Sequence, residues 1–395
     1  MTEGFAARAC ALLAGALLSC SASAATLTLG VLQRADDDRL APQRTALTYP
    51  GQPGGPAREA IELALQESAF ELDAAALRVV LEVREAHSAA EAASHLRALE
   101  KAGVAGAVID LPAAWIAEAT AATAMPLVNA GDSAEAPRQL CRANLFHTLP
   151  GERMRADALA QTLLARRWTR VLLLAGPSTD DAARLALAQA AIKRYGLKVS
   201  AVKAFKLSAD PRERDLANPL LLTGSAAAGG DYDVVWVVDS DGEFARTLPY
   251  RIALPRPVVG DAGMTAQAWA PHFERYGAPQ LARRFARATQ RPMTGHDWAA
   301  WMATKALLQA ALEQPGAPRA AQIAKAMGRA DFTLDGFKGV RLAFRPWDRQ
   351  LRQPMLLGDG VGVVGSAPVE GVMHPKNVLD TLGVDAAESP CRGAP

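Results

Sequence analysis

Acidic side chains stand where apolar runs end. Asp110 closes the run from Ala105, Asp239, Asp241 and Glu243 follow Asp233 to Val238, and Asp261 follows Pro257 to Gly260. Asp132, Asp180 and Asp181 open neighbouring segments. If three or four of these carboxylates meet, they favour a cation, an amine or a polyhydroxylated molecule, because clustered carboxylates are costly unless neutralised. A hard metal ion would need several such oxygens at once. The competing use is local, since an aspartate at the start of a helix accepts from free N–H groups and complements the helix dipole. Capping suits Asp180, Asp181 and Asp241; a cleft suits Asp110, Asp239 and Asp261.

Catalytic patterns are incomplete. Gly176-Pro177-Ser178-Thr179-Asp180 has the start of a nucleophile elbow without its second glycine. Gly360-Val361-Gly362-Val363-Val364-Gly365 spells GxGxxG, but Ser366-Ala367-Pro368 follows it where a dinucleotide site requires a helix. There is no P-loop and no HExxH. His296 and Asp297 are sequence neighbours, which point apart on a helix, so exposed or capping roles are expected for them. A serine, a histidine and an acid distant in sequence can still meet in space, which leaves an exported α/β enzyme as an alternative.

The elements that would position these groups alternate in type. Strands are expected at Leu27 to Leu32, Leu77 to Val83, Ala105 to Asp110 and Pro126 to Asn129, with helices at Ala57 to Phe70, Ser88 to Ala102 and Pro112 to Ala122 between them. Gln33 to Pro56 reads as a polar loop rich in Pro and Gly. After Phe146 to Pro150 the rhythm restarts, with helices at Glu152 to Arg166, Asp180 to Tyr195 and about Pro211 to Leu222, and strands at Arg170 to Leu174, Lys198 to Phe205, Asp233 to Val238 and Pro257 to Gly260. Such alternation implies right-handed βαβ crossovers and parallel sheets covered on both faces. Helices follow at Gln280 to Gln290, Gly295 to Glu313 and Ala317 to Met327; short strands at Val340 to Phe344, Met355 to Leu357 and Val361 to Val364 then return the chain to both halves. The expected fold class is therefore α/β with two Rossmann-like lobes joined by a hinge of several crossings. Lobe one takes 26–147 and about 265–345, and lobe two takes 148–264 and about 346–390.

With 395 residues, half of them hydrophobic, the chain can build two cores. A net charge of +2 with scattered lysines and arginines gives no stripe for nucleic acid. The apolar run Ala11 to Leu18 after Arg8, with Ala22-Ser23-Ala24 behind it, fits a secretory leader over 1–25 and an exported protein. A second reading makes Leu17-Leu18-Ser19-Cys20 a lipobox that anchors the protein through Cys20. Cys141 and Cys391 are the remaining cysteines once the leader is removed, and in an oxidising compartment they suggest one disulfide, the other reading being two free thiols. No metal and no cofactor is expected from these patterns.

The order of these segments resembles the periplasmic type I solute-binding proteins of ABC transporters, the leucine/isoleucine/valine-binding family. The likeness rests on Val104 to Leu111 followed by Pro126-Leu127-Val128-Asn129, on Leu145 to Pro150, on Pro257-Val258-Val259-Gly260-Asp261, and on Phe337-Lys338-Gly339-Val340 with Leu342-Ala343-Phe344 and Gln350 to Pro354. Tyr49 to Gly55 and Asp239 to Glu243 are similar to the branch whose genes accompany pyrroloquinoline-quinone-dependent alcohol oxidation. The resemblance implies a hinged trap that delivers a small-molecule ligand to ABC permease subunits from the periplasm, without catalysis. It also implies that amino-acid binders hold the ligand carboxylate with hydroxyls in the first two loops and the ammonium with an acid of lobe two. Here Ala113-Ala114 replaces the first hydroxyls, while Ser133 and Asp261 match, so an ordinary amino acid fits poorly. The expected ligand set is Tyr49, Asp110, Asn129, Ser133, Ser178, Asp239 and Asp261. A sensor or partner-binding module is the remaining alternative.

Overall fold

Ala25–Arg34 forms strand β1, whose alternate residues Leu27, Leu29 and Val31 enter one core while Leu32 enters another, so the strand is covered on both faces. The computed structural model describes residues 24–391, apart from 48, 209, 211, 214–216, 219–230 and 253. The segment expected to be a leader, Cys20 and most of the helix expected near Pro211 to Leu222 lie outside the described residues.

The first lobe is a parallel sheet in the order β2-β1-β3-β4-β5. Its further strands are β2 (Leu77–Ala86), β3 (Ala107–Asp110), β4 (Leu127–Asn129) and β5 (Leu145–His147). The 33–56 segment contains helix α1 (Pro42–Leu47), a departure from the expected loop. The helix expected from Ala57 to Phe70 is broken into α2 (Ala57–Glu67) and α3 (Ala69–Ala74) at Ser68, whose hydroxyl donates back to the Ala64 carbonyl at 2.9 Å. Helices α4 (Ala89–Lys101) and α5 (Ala113–Ala121) cover one face. The Ser88 hydroxyl caps α4 by accepting from the Glu91 N–H.

The second lobe repeats the plan with β7-β6-β8-β9, built from β6 (Arg170–Ala175), β7 (Lys198–Ala204), β8 (Val234–Val238) and β9 (Val258–Gly260). Helices α6 (Glu152–Ala165) and α7 (Thr179–Arg194) cover one face; the other buries the stacked rings of Phe205 and Phe244, 4.0 Å between centroids.

Three passages join the lobes. The chain leaves β5 for α6; after β10 (Thr265–Gln267) it returns to the first core at Ala268 and Trp269; and it crosses again between Phe344 and β13 (Met355–Gly358). Ala266 still belongs to the second core. Between these passages α8 (Ala278–Thr289), α9 (Gly295–Leu312) and α10 (Ala320–Met327) complete the first core around Trp269, Trp298 and Trp301. The strand expected at Val340 to Phe344 shrinks to β12 (Arg341–Leu342), paired with β11 (Leu334–Asp335). Strands β10, β13 and β14 (Val363–Ala367) form a small antiparallel sheet on the second core, and the GxGxxG glycines serve the turn and strand there.

The final segment lies along the second lobe. Tyr195 donates to the Thr381 carbonyl at 2.8 Å, Arg194 pairs with Glu388 at 3.1 Å, and Arg345 and Arg352 share Asp380 at 3.0 and 2.7 Å. Its end is joined by a disulfide from Cys391 to Cys141, in the loop before β5, with 5.1 Å between Cα atoms. Among the described residues no helix is long and apolar enough to cross a membrane.

Candidate functional site

The carboxyl ends of both sheets face the space between the lobes, where connecting loops and helix starts come together. On the first lobe, β3 ends at Asp110. The Arg39 guanidinium takes its carboxylate at 2.7 Å, binds Asp37 at 2.6 Å and donates to the Gly131 carbonyl at 2.9 Å. Asp110 is thus neutralised from within. Asn129, fully buried at the end of β4, accepts from the Gly131 and Asp132 N–H groups, donates to the Asp132 carbonyl and meets His147 Nδ1 at 3.1 Å. Every polar atom of its amide is used to shape this loop. The loop then places Asp132 at the start of α5, where its carboxylate accepts from the Ala113 N–H at 2.8 Å.

Ser133, next in the loop, reaches the second lobe: its hydroxyl donates to Glu152 Oε1 at 2.6 Å. Glu152 opens α6 and is gripped by Arg155 at 3.1 Å and Arg184 at 3.3 Å. Burial alone would raise its pKa, but Arg155 and Arg184 outweigh burial and hold it at about 2. Arg184 continues to Asp261 at 2.5 Å, and the other Asp261 oxygen accepts from the Asp239 N–H at 2.8 Å.

Asp239 is buried, with one oxygen accepting from the Ala245 N–H at 2.8 Å and the other without a hydrogen-bond partner among the described residues. Burial raises its pKa to about 6, and Asp261 and Asp181 add to the rise. Ser178 is the N-cap of α7, reciprocally bonded with Asp181, and its hydroxyl also lies 3.0 Å from that of Ser240.

Tyr49 contributes at the rim. Its hydroxyl donates to Glu243 at 3.3 Å, Arg44 pairs with Asp241 at 3.0 Å, and Gln52 donates to the Ser240 carbonyl at 3.4 Å. These contacts fasten the 35–56 segment of lobe one onto the 239–243 loop of lobe two. Gly242 allows them: it has φ +80°, and a Cβ there would come 2.9 Å from the Tyr49 ring.

Two adjoining cavities, each of about 30 Å³ and partly open to solvent, lie behind this rim and share Arg155 and Ala266 in their walls. One is lined by Gly51, Ser133, Leu149, Gln267 and His296, the other by Glu152, Arg184, Trp236 and Asp261. The His296 ring faces the first cavity and makes no hydrogen bond among the described residues. Burial, with Arg39 and Arg155 nearby, lowers its pKa to about 3, so it is neutral at pH 7.

Of the expected ligand set, Ser133 and Asp261 line the cavities, Tyr49 lies at the rim, and Asp110, Asn129, Ser178 and Asp239 hold the surrounding loops. The acids do not converge into a cation site. Arg39 takes Asp110, Arg44 takes Asp241 and Arg184 takes Asp261, and no cluster of potential metal-binding side chains occurs among the described residues. Asp181 caps a helix as expected, whereas Asp241 bridges the lobes. Trp236 is core and also cavity wall, and Trp115 packs on the far face of the first sheet. Asp297 caps α9, but His296 is a cavity residue instead of a surface one. Arg155, Arg184 and His296 carry no motif; only their arrival on α6, α7 and α9 beside the passages between lobes marks them.

No family model and no curated protein matches the chain. Solved structures do match along most of its length. It is similar to a branched-chain amino acid ABC transporter periplasmic ligand-binding protein from Burkholderia xenovorans, with TM-score 0.73 and 15% identity over 93% of this chain and 100% of that one. It is similar to a periplasmic binding protein from Burkholderia mallei, with TM-score 0.67 and 13% identity over 93% and 99% of the two chains. A third likeness is to an ABC transporter solute-binding protein from Rhodopseudomonas palustris in complex with 3,4-dihydroxybenzoic acid, with TM-score 0.64 and 10% identity over 85% and 93%. With identities this low the likeness establishes architecture, and the chain has the two-lobed α/β fold of the type I periplasmic binding proteins.

Proposed function

We propose that this protein is the solute-binding component of an ABC transporter, capturing a small molecule between its lobes and presenting it to permease subunits. The observation that carries the reading is the cavity walled by both lobes, with Gly51, Ser133 and His296 from the first and Arg155, Ala266 and Met355 from the second, beside the rim contacts of Tyr49, Arg44 and Gln52. A site that closes around its ligand and lies on the passages between two lobes suits capture and release. The protein is not an enzyme in this reading, because the one serine in an elbow-like sequence, Ser178, spends its hydroxyl on a helix cap. The proposed location is the periplasm, reached by a leader over 1–25. The likeness of the Tyr49 and Asp239 loops to the pyrroloquinoline-quinone-linked branch suggests a ligand connected with alcohol oxidation.

Thermal-shift screening of the purified protein tests this. A true ligand raises the melting temperature by an amount set by its concentration relative to Kd. A panel of carboxylic acids, amines, alcohol-oxidation products, quinones and metal ions should contain at least one such compound. A panel without effect, or turnover that depends on Ser178, would overturn the reading.

A further inference from the structure

An α-amino acid needs an anion site for its carboxylate and a carboxylate for its ammonium. Both kinds of group are present at the strand ends and, apart from Asp239 Oδ1, which is buried outside the cavity walls, they are already engaged. The Ala113 N–H at the start of α5 donates to the chain's own Asp132, and the 110–114 segment offers no hydroxyl. Asp110 is held by Arg39. Both oxygens of Asp261 are used, one by Arg184 and one by the Asp239 N–H. Glu152 is used twice over, by Ser133 and Arg155 on one oxygen and Arg184 on the other. An incoming ammonium would have to displace an arginine from a buried pair, leaving that arginine uncompensated.

What remains open has the opposite character. Arg155 uses Nε on the Ala266 carbonyl and Nη1 on Glu152, leaving Nη2 with no hydrogen bond among the described residues. That nitrogen lies beside Gly51, where any Cβ would sit 2.6 Å from it. His296 lines the same cavity, and among the described residues neither its ring nor the carbonyl oxygen of Gln267, whose amide donates to Thr265, makes a hydrogen bond. Leu149 and Met355 supply apolar wall. The cavity therefore has charged and neutral donors for an anion, apolar surface for a short body, and no free carboxylate.

Resting on the solute-binding reading above, we propose that the cleft takes a small carboxylate without an amino group, held by Arg155 and His296, and discriminates against α-amino acids. Discrimination of this kind comes from unpaired polar groups as much as from favourable contacts.

The test is titration calorimetry with a matched pair, 4-methylpentanoate and L-leucine, which differ only by the amino group, together with benzoate and 3-methylbutylamine. At least one of the two acids should bind, with L-leucine and the amine at least tenfold weaker. Arg155→Met and His296→Gln should each weaken the acid at least tenfold, while the Lys101→Gln control, at the exposed end of α4, leaves affinity unchanged. Circular dichroism and the melting transition of each variant show whether it is folded; His296→Gln, which breaks no hydrogen bond, serves where Arg155→Met is not. L-leucine binding as well as 4-methylpentanoate, or acid affinity unchanged in a folded His296→Gln, overturns the proposal. If the wider panel yields only a ligand with an ammonium group or without a carboxylate, this inference alone falls. If nothing in either set binds, the solute-binding reading falls with it.

Discussion

Removing the Cys141–Cys391 bond should destabilise the protein measurably, because the cross-link spans 250 residues. The chain-entropy relation, 2.1 + 1.5R ln n with n of 250, gives about 18.5 cal/mol/K, or about 5.5 kcal/mol at 25 °C. That is an upper bound, since cross-links generally deliver about 2–4 kcal/mol. The contacts of the tail explain part of the expected shortfall. Asp380 with its two arginines, Thr381 with Tyr195 and Glu388 with Arg194 would still hold the segment on the second lobe after reduction. Urea unfolding of the oxidised protein, the reduced protein and the Cys141→Ser/Cys391→Ser double variant gives the comparison. The reduced protein and the double variant should agree with each other, with midpoints below the oxidised protein and stability lower by about 2–4 kcal/mol. A loss below about 0.5 kcal/mol in both would refute the reasoning, because the unfolded chain would then gain almost nothing from release.

Other consequences can be checked in the same way. Arg39→Met leaves Asp37 and Asp110 without their cation and should cost about 2–4 kcal/mol in urea unfolding, part of it recovered by adding Asp110→Asn. Asp239 has its pKa raised by burial from 3.8 to about 6, so the folded protein holds that proton more tightly than the unfolded chain. Its contribution therefore favours folding as pH falls from about 6 towards 4 and is lost as pH rises through 6; Asp239→Asn should flatten that part of the stability profile, by up to about 3 kcal/mol. Gly242→Ala meets both a positive φ and the Tyr49 ring, so small-angle scattering should report a larger radius of gyration for the variant, with melting lowered by about 1–2 kcal/mol equivalent.

The alternation of apolar runs and helical segments was enough to place the sheets, because strands buried on both faces read as unbroken apolar runs, as in Val171 to Leu174 and Val234 to Val238. Breaks within elements were less legible. Ser68 ends α2 through a bond to a carbonyl one turn back, and nothing in the periodicity of Ala57 to Phe70 signals it. The acids at strand ends were visible, but their arginine partners lie 71 residues from Asp110 and 77 from Asp261 in sequence. Pairing at that range is set by the crossing of helices and loops, so the electrostatic character of the cleft changed from cation-seeking to internally balanced once the fold was known. His296 was hidden by its charged neighbour, since Asp297 turns to cap α9 while the ring faces the cavity.

Strand β13 has side chains in two cores: Met355 and Leu357 point into the second, Leu356 into the first. Side-chain direction in a strand reverses with every residue. A single-residue insertion or deletion just before Met355 would therefore present each core with the residue meant for the other, and the antiparallel pairing with β10 and β14 would carry the error outward. Length at this crossing is fixed to the residue, whereas the exposed turn at Gly360–Gly362 has room for change. Libraries of random one-codon indels should map that contrast directly, with survivors clustering in the turn and vanishing across the strand.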